Sequence, residues 1–153
     1  MDNKDLASCC GLYCPDCMWY RNNFSQLAKE LKHKLEEVNF ERYASVKSPF
    51  GTELEYYKEF LDILKFIAKN NCMEPCRIGG GCGGNPCKIM KCAEERKLEG
   101  CWQCEVIESC EKFDIVEPRC GDTPRNNLRN IKKLGYDGWI KERGPYYIWQ
   151  KKD

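Results

Sequence analysis

The cysteines are the feature that most constrains what this chain can fold into. Thirteen of them occur in 153 residues, and they fall into two blocks with none between, 9–17 and 72–120. Each block contains a C-x2-C pair, Cys14 with Cys17 and Cys101 with Cys104. One turn of backbone can present both thiols of such a pair to the same point, so two distant pairs predict thiolate-metal sites.

Each pair also has a third cysteine close by, Cys10 before the first pair and Cys110 after the second. We expect Cys10, Cys14 and Cys17 to supply three thiolates of one site, with a fourth from the second block. The cysteines that could complete the two sets are Cys72, Cys76, Cys82, Cys87 and Cys92. A few of the thirteen, such as Cys9, Cys82 and Cys120, are explained equally well as buried thiols of the core.

The residue types limit the metal to one that binds thiolates, but they do not distinguish zinc from an iron–sulfur cluster. His33 is the only histidine, so the sites are expected to be all-thiolate, which suits zinc and iron–sulfur clusters alike. Cys10, Cys14 and Cys17 have the C-x3-C-x2-C spacing of radical S-adenosylmethionine enzymes, but no βα repeats follow to build their barrel. The ferredoxin run C-x2-C-x2-C-x3-C-P is absent. Zinc is therefore expected, with an iron–sulfur cluster as the alternative.

The compartment is predicted from the same cysteines and from the absence of a targeting signal. The first six residues, MDNKDL, form no apolar signal region. The most apolar run, 60–68, contains Asp62 and Lys65 and is too short to span a bilayer. We expect a cytoplasmic protein with no membrane contact, where reduced thiols serve metal ligation rather than disulfides.

The cysteine-free gap is predicted to form a helical pair at 25–70. Leu27, Leu31, Leu35 and Val38 are spaced for one face of a first helix at 25–43. After a break at Pro49–Gly51, Thr52 and Glu55 form a capping box for a second helix, which ends at Asn70. Its expected apolar stripe comprises Tyr57, Phe60, Leu61, Leu64, Ile67 and Ala68.

The second cysteine block is predicted to be loop at 72–87, then a short helix at 88–100 capped by Gly100, then a helical turn before Cys110. Thr123–Pro124 starts a further helix with Leu128, Ile131 and Leu134 inward and Gly135 at its end. Residues 146–150 are a candidate strand. The predicted fold is mainly α with irregular cysteine-rich loops, a small metal-stabilised single domain over 1–153 in which the helical pair packs on the thiolate-metal region.

Charge gives little guidance on partners. The net charge is +1, so no global field favours nucleic acid. The basic C-terminal segment (121–153) is an exception, since residues 119–153 carry nine basic and four acidic side chains near Tyr146, Tyr147 and Trp149. Nucleic-acid binding there is weakly supported, and a solvated helix face over an aromatic core is the better explanation.

Several motifs together resemble one family. The segments "CCGLYCPDC", "CRIGGG", "CKIMKCAEERKLEGCWQCEVIESCEKF" and "NLRNIKKLGYDGWI" are similar to the bacterial and archaeal domain of unknown function 3795. The resemblance covers most of the chain and implies that its thiolates bind metal, but it implies no activity. The cysteines that it implies as ligands are Cys10, Cys14, Cys17, Cys76, Cys87, Cys92, Cys101, Cys104 and Cys110.

Three functions remain open at this point. The first is a zinc-stabilised binding or adaptor module with an unknown protein partner. The second is an iron–sulfur redox or accessory protein of anaerobic metabolism. The third is a thiol enzyme with Cys9 as nucleophile, which ranks last because no general base is evident. The protein is therefore expected not to be an enzyme.

Overall fold

The computed structural model describes residues 2–46, 51–81, 87–144 and 147. These residues are mainly helical and contain no β-strand, so the predicted mainly α fold class is confirmed. Their α-helices are α1 (Asn3–Leu6), α2 (Phe24–Glu37), α3 (Phe40–Ser45), α4 (Tyr57–Lys69), α5 (Lys88–Glu95), α6 (Glu117–Cys120) and α7 (Thr123–Glu142). Short 3₁₀ segments lie at Cys14–Asp16, Thr52–Tyr56, Cys76–Ile78, Cys101–Gln103, Ile107–Ser109 and Glu111–Ile115.

The chain forms two compact units. The cysteine unit comprises Met1–Tyr20 and Cys72–Asp153 and holds every cysteine of the sequence, and the hairpin unit is Arg21–Asn71. Tyr20 and Cys72, where the chain leaves and re-enters the cysteine unit, pair through an isolated parallel bridge. That 1–153 forms one domain stays a prediction. None of the described helices combines the length and apolar character needed to cross a bilayer.

The hairpin unit is built on α2 and α4, which pack side by side. Ser25, at the start of α2, donates its hydroxyl to the carbonyl of Ala68, at the end of α4, over 2.8 Å. The helices are therefore antiparallel, and residues 38–56, which include α3, connect them. Their buried core consists of Ala28, Leu64 and Ala68, with Leu35, Leu61 and Ile67 packed against it.

Three of the four residues on the predicted apolar face of α2 do not pack against α4. Leu27, Leu31 and Val38 are exposed, and only Leu35 packs into the core. The buried positions are instead Ser25 and Ala28, whose small side chains let α4 approach closely. The spacing of the apolar residues alone does not show which of two neighbouring faces of such a helix is buried.

The helix bounds in this unit also differ from the prediction. The first helix ends at Glu37 rather than continuing to 43, because Asn39 adopts a left-handed conformation (φ 52°) before α3 begins. The capping box of Thr52 and Glu55 does not form, since Gly51 precedes a 3₁₀ segment there and no side chain caps it. The second helix does end before Asn70, as predicted. Pro49 lies outside the described residues.

The cysteine unit packs around α7. Pro124 stands in its first turn, and Leu128 and Ile131 are buried as predicted. Gly135 (φ 70°, ψ 176°) interrupts the helical backbone at the predicted end, and a further helical stretch then carries the buried Trp139. The main core cluster contains Cys10, Leu12, Ile89, Cys101, Phe113, Val116, Cys120, Leu128 and Tyr147. Apart from Tyr147, the candidate strand at 146–150 lies outside the described residues.

Helix α5 is shorter than predicted and is not capped by Gly100. It ends at Glu95, because Lys97 takes the left-handed conformation (φ 54°) that a glycine usually supplies. The amide of Lys97 donates to the Glu94 carbonyl over 2.9 Å, and the amide of Leu98 to the Ala93 carbonyl over 2.8 Å. These two bonds form a Schellman motif, so the chain turns toward Cys101 before the predicted position.

Candidate metal centre

The two C-x2-C pairs share one local geometry. Each first cysteine begins a 3₁₀ segment, and each second cysteine directly follows it. The amide of Cys17 donates to the Cys14 carbonyl over 2.9 Å, and that of Cys104 to the Cys101 carbonyl over 3.0 Å. A single tight turn therefore holds both cysteines of each pair.

Cys9 and Cys10 lie in a tight turn just before the first pair. Ser8 donates its amide to the Leu12 carbonyl over 2.8 Å, and its hydroxyl lies 3.0 Å from the Cys10 sulfur. Gly11 has a φ of +85°, and a Cβ there would stand 2.6 Å from the Pro124 carbonyl oxygen. The turn thus needs glycine both for its conformation and for its close approach to α7.

Four cysteines from three segments line one small cavity. It has a volume of about 20 Å³. Helix α5 contributes one face, which carries Ile89, Cys92 and Ala93, and Arg96 directly follows the helix. The remaining thiols come from the turns after it. The lining residues are Ile89, Cys92, Ala93, Arg96, Leu98, Cys101, Cys104, Ile107, Cys110, Lys112 and Phe113.

The electrostatics of this cavity combine apolar walls with cations. Arg96 donates to the Cys104 sulfur over 3.7 Å, and Lys112 also lines the space. Burial raises the pKa of the Cys101 thiol, and the neighbouring Cys10, Cys9, Cys104 and Cys110 raise it further. Cys101 is therefore a protonated thiol when the cavity holds no cation, because several thiols share one poorly solvated region.

The cysteines surround this cavity without meeting at one point. Among the described residues, no three histidine, cysteine or acidic side chains converge closely enough to hold a metal ion. The donor set itself, four thiols around a space large enough for one small occupant, fits a tetrahedral thiolate site. The cavity therefore fits a tetrahedrally coordinated metal ion in the chemistry of its donors and in its size.

The remaining predicted ligands lie together in a looser arrangement. The amide of Cys76 lies 3.5 Å from the Cys14 sulfur, which brings the glycine-rich segment to the first pair. Cys17 and Cys87 pack against the core cluster that contains Cys10. The structure therefore brings both cysteine blocks into one unit, and it brings Cys14 next to Cys76 in particular.

Four cysteines are not among the predicted ligands, namely Cys9, Cys72, Cys82 and Cys120. Cys120 is buried in the core cluster, where it packs as a small apolar side chain. Cys72 donates its thiol to the Glu74 carbonyl over 3.2 Å. Cys82 lies outside the described residues.

Cys9 has the wrong environment for a nucleophile. Burial raises the pKa of its thiol, and although Arg77 opposes that shift, Glu94 and Cys87 add to it. Nucleophilic cysteines need a lowered pKa, because the thiolate is the reactive form. The surroundings of Cys9 therefore oppose the thiol-enzyme hypothesis.

Two arginines near the thiols were missed by sequence reasoning. Arg77 lies with its Nη1 atom 3.7 Å from the Cys9 sulfur, and Arg96 contacts Cys104 at the same distance. The available signal was their position, each within a few residues of a cysteine that the family resemblance includes. A cation at such a position offsets the negative charge of thiolates.

The arginines of the basic C-terminal segment are paired within the cysteine unit. Arg129 contacts Glu108 over 2.5 Å and Asp122 over 3.1 Å, and Arg125 contacts Glu117. Arg125 and Arg129 line an open cleft of about 390 Å³ whose other charged residues are all acidic, namely Glu108, Glu111, Asp114, Glu117 and Asp122. These pairings weaken the electrostatic basis for nucleic-acid binding by this segment.

Comparison with known proteins gives one match. The model of a family described as a protein of unknown function (DUF3795) matches residues 6–115. That range contains every cysteine placed among the predicted ligands. No curated protein and no solved structure matches the chain.

Proposed function

The chain belongs to the DUF3795 family of unknown function, and on that basis we propose that it is a cysteine-rich zinc-binding protein that serves as a binding or adaptor module. The observation that carries this proposal is the cavity lined by Cys92, Cys101, Cys104 and Cys110. We assign these four cysteines to one zinc site, in which zinc would supply a structural cross-link between three segments.

The size of the cavity favours zinc over an iron–sulfur cluster at this site. A volume of about 20 Å³ accommodates a single ion. A four-iron cluster has eight core atoms and would require the surrounding turns to move apart. The apolar wall also suits a structural ion, since it keeps water and competing ligands away from the thiolates.

A second site is proposed from the other predicted ligands. Cys10, Cys14 and Cys17 would supply three thiolates, and Cys76 is the proposed fourth because its backbone already contacts the Cys14 sulfur. Cys87 packs on the same core cluster and is the alternative fourth ligand. The proposed location of the protein is the cytoplasm, where a reducing environment keeps thiols available to zinc.

The test is metal analysis of anaerobically purified protein with two ligand variants and a matched control. We expect zinc and no iron, and loss of one zinc per chain in Cys104→Ser and in Cys110→Ser, whose side chains are half-buried. Cys120→Ser, at a buried cysteine outside the cavity, is expected to keep the wild-type zinc content.

Cobalt substitution provides a second measurement on the same samples. A tetrahedral thiolate site should give the visible absorption of cobalt bound by sulfur in the wild type and in Cys120→Ser, and weaker absorption in the two ligand variants. Full zinc content in Cys104→Ser and Cys110→Ser would rule out the cavity as a site. A brown protein with iron and labile sulfide would instead support the iron–sulfur alternative.

A further inference from the structure

The hairpin unit leaves one face of its two main helices uncovered and apolar. Successive residues of an α-helix are 100° apart, so positions three, four and seven residues apart share a face. On α2, this rule places Phe24, Leu27 and Leu31 together, beside the positions that face α4. The same rule on α4 places Phe60 and Ile63 together, beside the positions that face α2.

The two stripes lie on the same side of the hairpin. The Ser25–Ala68 hydrogen bond fixes the antiparallel register, so Leu31 lies within about one residue of the level of Ile63, and Val38 within one residue of the level of Tyr56. Val38, just after α2, and Tyr56, just before α4, extend the stripes at the other end. We define the hairpin face as Phe24, Leu27, Leu31, Val38, Tyr56, Phe60 and Ile63, whose exposed fractions range from 42% to 69%.

We propose that the hairpin face is the surface through which two copies of this chain associate, as a face-to-face four-helix dimer. The area is that of a patch which a protein partner covers: seven side chains at 42% to 69% exposure carry roughly 600 Å², at the top of the about 300–600 Å² of a typical monomer's largest apolar patch, which is often functional. A standard interface buries about 800 Å² on each partner, so such a patch with a polar rim around it matches one side of a dimer contact.

The charges of the two helices favour a second copy over a strongly charged partner. Helix α2 carries three lysines and three glutamates, and α4 carries three lysines and two acidic residues. Several of these charges pair within their own helix, as in Lys32 with Glu36, Lys34 with Glu37, and Lys65 with Asp62. The unit therefore has no single-sign field to repel an identical surface.

The shape of the hairpin face also fits a second copy of this chain. Two helices of similar length, 14 and 13 residues, present a flat ridged surface. Another such surface packs onto it by ridges into grooves, which is the arrangement of a four-helix bundle made from two hairpins. A two-fold axis makes the contact self-complementary and closed, so no larger assembly follows.

The test is sedimentation equilibrium of the full-length, metal-loaded protein from about 1 to 100 µM. We expect a dimer that dissociates on dilution, and a monomer throughout this range for Leu31→Glu and for Ile63→Glu. Val46→Glu places the same charge at an equally exposed apolar position outside α2 and α4, and it should dimerise as the wild type does.

Circular dichroism of each variant checks that the hairpin is folded, which is expected because the substituted side chains are about half exposed. A wild-type protein that is monomeric at 100 µM would overturn the proposal, as would a Leu31→Glu protein that still dimerises. The hairpin unit contains no cysteine, so neither outcome bears on the zinc assignment.

Discussion

Arg77 connects three parts of the cysteine unit through one side chain. It donates to the Ala7 carbonyl over 2.5 Å, to the Glu99 carbonyl over 2.6 Å and to the Tyr136 hydroxyl over 2.9 Å. These acceptors belong to the N-terminal segment, the turn before Cys101 and helix α7. A planar guanidinium with several fixed donors can satisfy all three at once, whereas a lysine presents a single point charge.

We therefore expect Arg77→Lys to lower the free energy of unfolding of the cysteine unit by about 2–4 kcal/mol, because at least two acceptors in a partly buried region lose their donor. Urea unfolding of the metal-loaded protein, followed by near-ultraviolet circular dichroism, measures this change. Lys91→Ala, at an exposed position on α5, is the matched control and should cost less than about 0.5 kcal/mol. Equal stability of Arg77→Lys and wild type would contradict the role of Arg77.

At the same scale, the spacing of the cysteines was more informative than the positions of the arginines. A C-x2-C pair specifies its own geometry, because only two residues separate the cysteines and a single turn places both thiols together. Arg77 acts through acceptors that lie 22 to 70 residues away in sequence. Its place directly after Cys76 puts Arg77 near a thiol, but no local pattern identifies those distant acceptors, so its role was not predicted.

At the scale of helices, the hairpin illustrates how side-chain size decides which face is buried. Helix α2 has an apolar stripe and a neighbouring stripe of small residues, and the second one faces α4. Close approach of two helices gains more contact area through Ala28 than through Leu27, whose bulk would hold them apart. The α4 stripe contains Leu64 at its centre, as predicted, but Phe60 of the predicted stripe is exposed.

Truncating the two leucines should show this difference directly. Leu64→Ala removes a buried side chain and is expected to cost about 2–4 kcal/mol, since the cavity that it leaves cannot close fully. Leu27→Ala removes a side chain that is half exposed, and about 0.5 kcal/mol or less is expected.

Amide hydrogen exchange of α2 and α4 measures both costs, at a protein concentration below 1 µM where a dimer contributes little. Equal costs for the two leucines would mean that Leu27 faces the core, as the apolar period alone suggested. The α3 helix serves as an internal reference, because neither leucine belongs to it.

At the scale of the whole molecule, the two units have different sources of stability. The hairpin unit has a core of aliphatic side chains on two regular helices. The cysteine unit depends on short 3₁₀ turns, and Cys10, Cys101 and Cys120 are members of its core cluster. Such turns form few hydrogen bonds for the backbone that they order, so a bound metal would supply much of the stability.

Removal of metal should therefore unfold one unit and spare the other. With a strong zinc chelator, we expect loss of exchange protection in peptides from α5, α7 and the turns between them. Peptides from α2 and α4 should remain protected, and added zinc should restore the pattern. Hydrogen exchange with mass spectrometry measures both units in one sample. Full protection of α5 and α7 after chelation would contradict the proposed structural role of zinc.

By itself, the sequence determined the helical class, the family, the end of α4, the interruption at Gly135 and the thiol pairs. Each of these depends on residues that are close together in the chain, or on a pattern that repeats along it. The tertiary structure decided which cysteines share a cavity, which face of α2 is buried, and that Arg77, Arg96, Arg125 and Arg129 have partners within the cysteine unit. These outcomes depend on approach between segments distant in sequence, where side-chain volume, burial and charge act together.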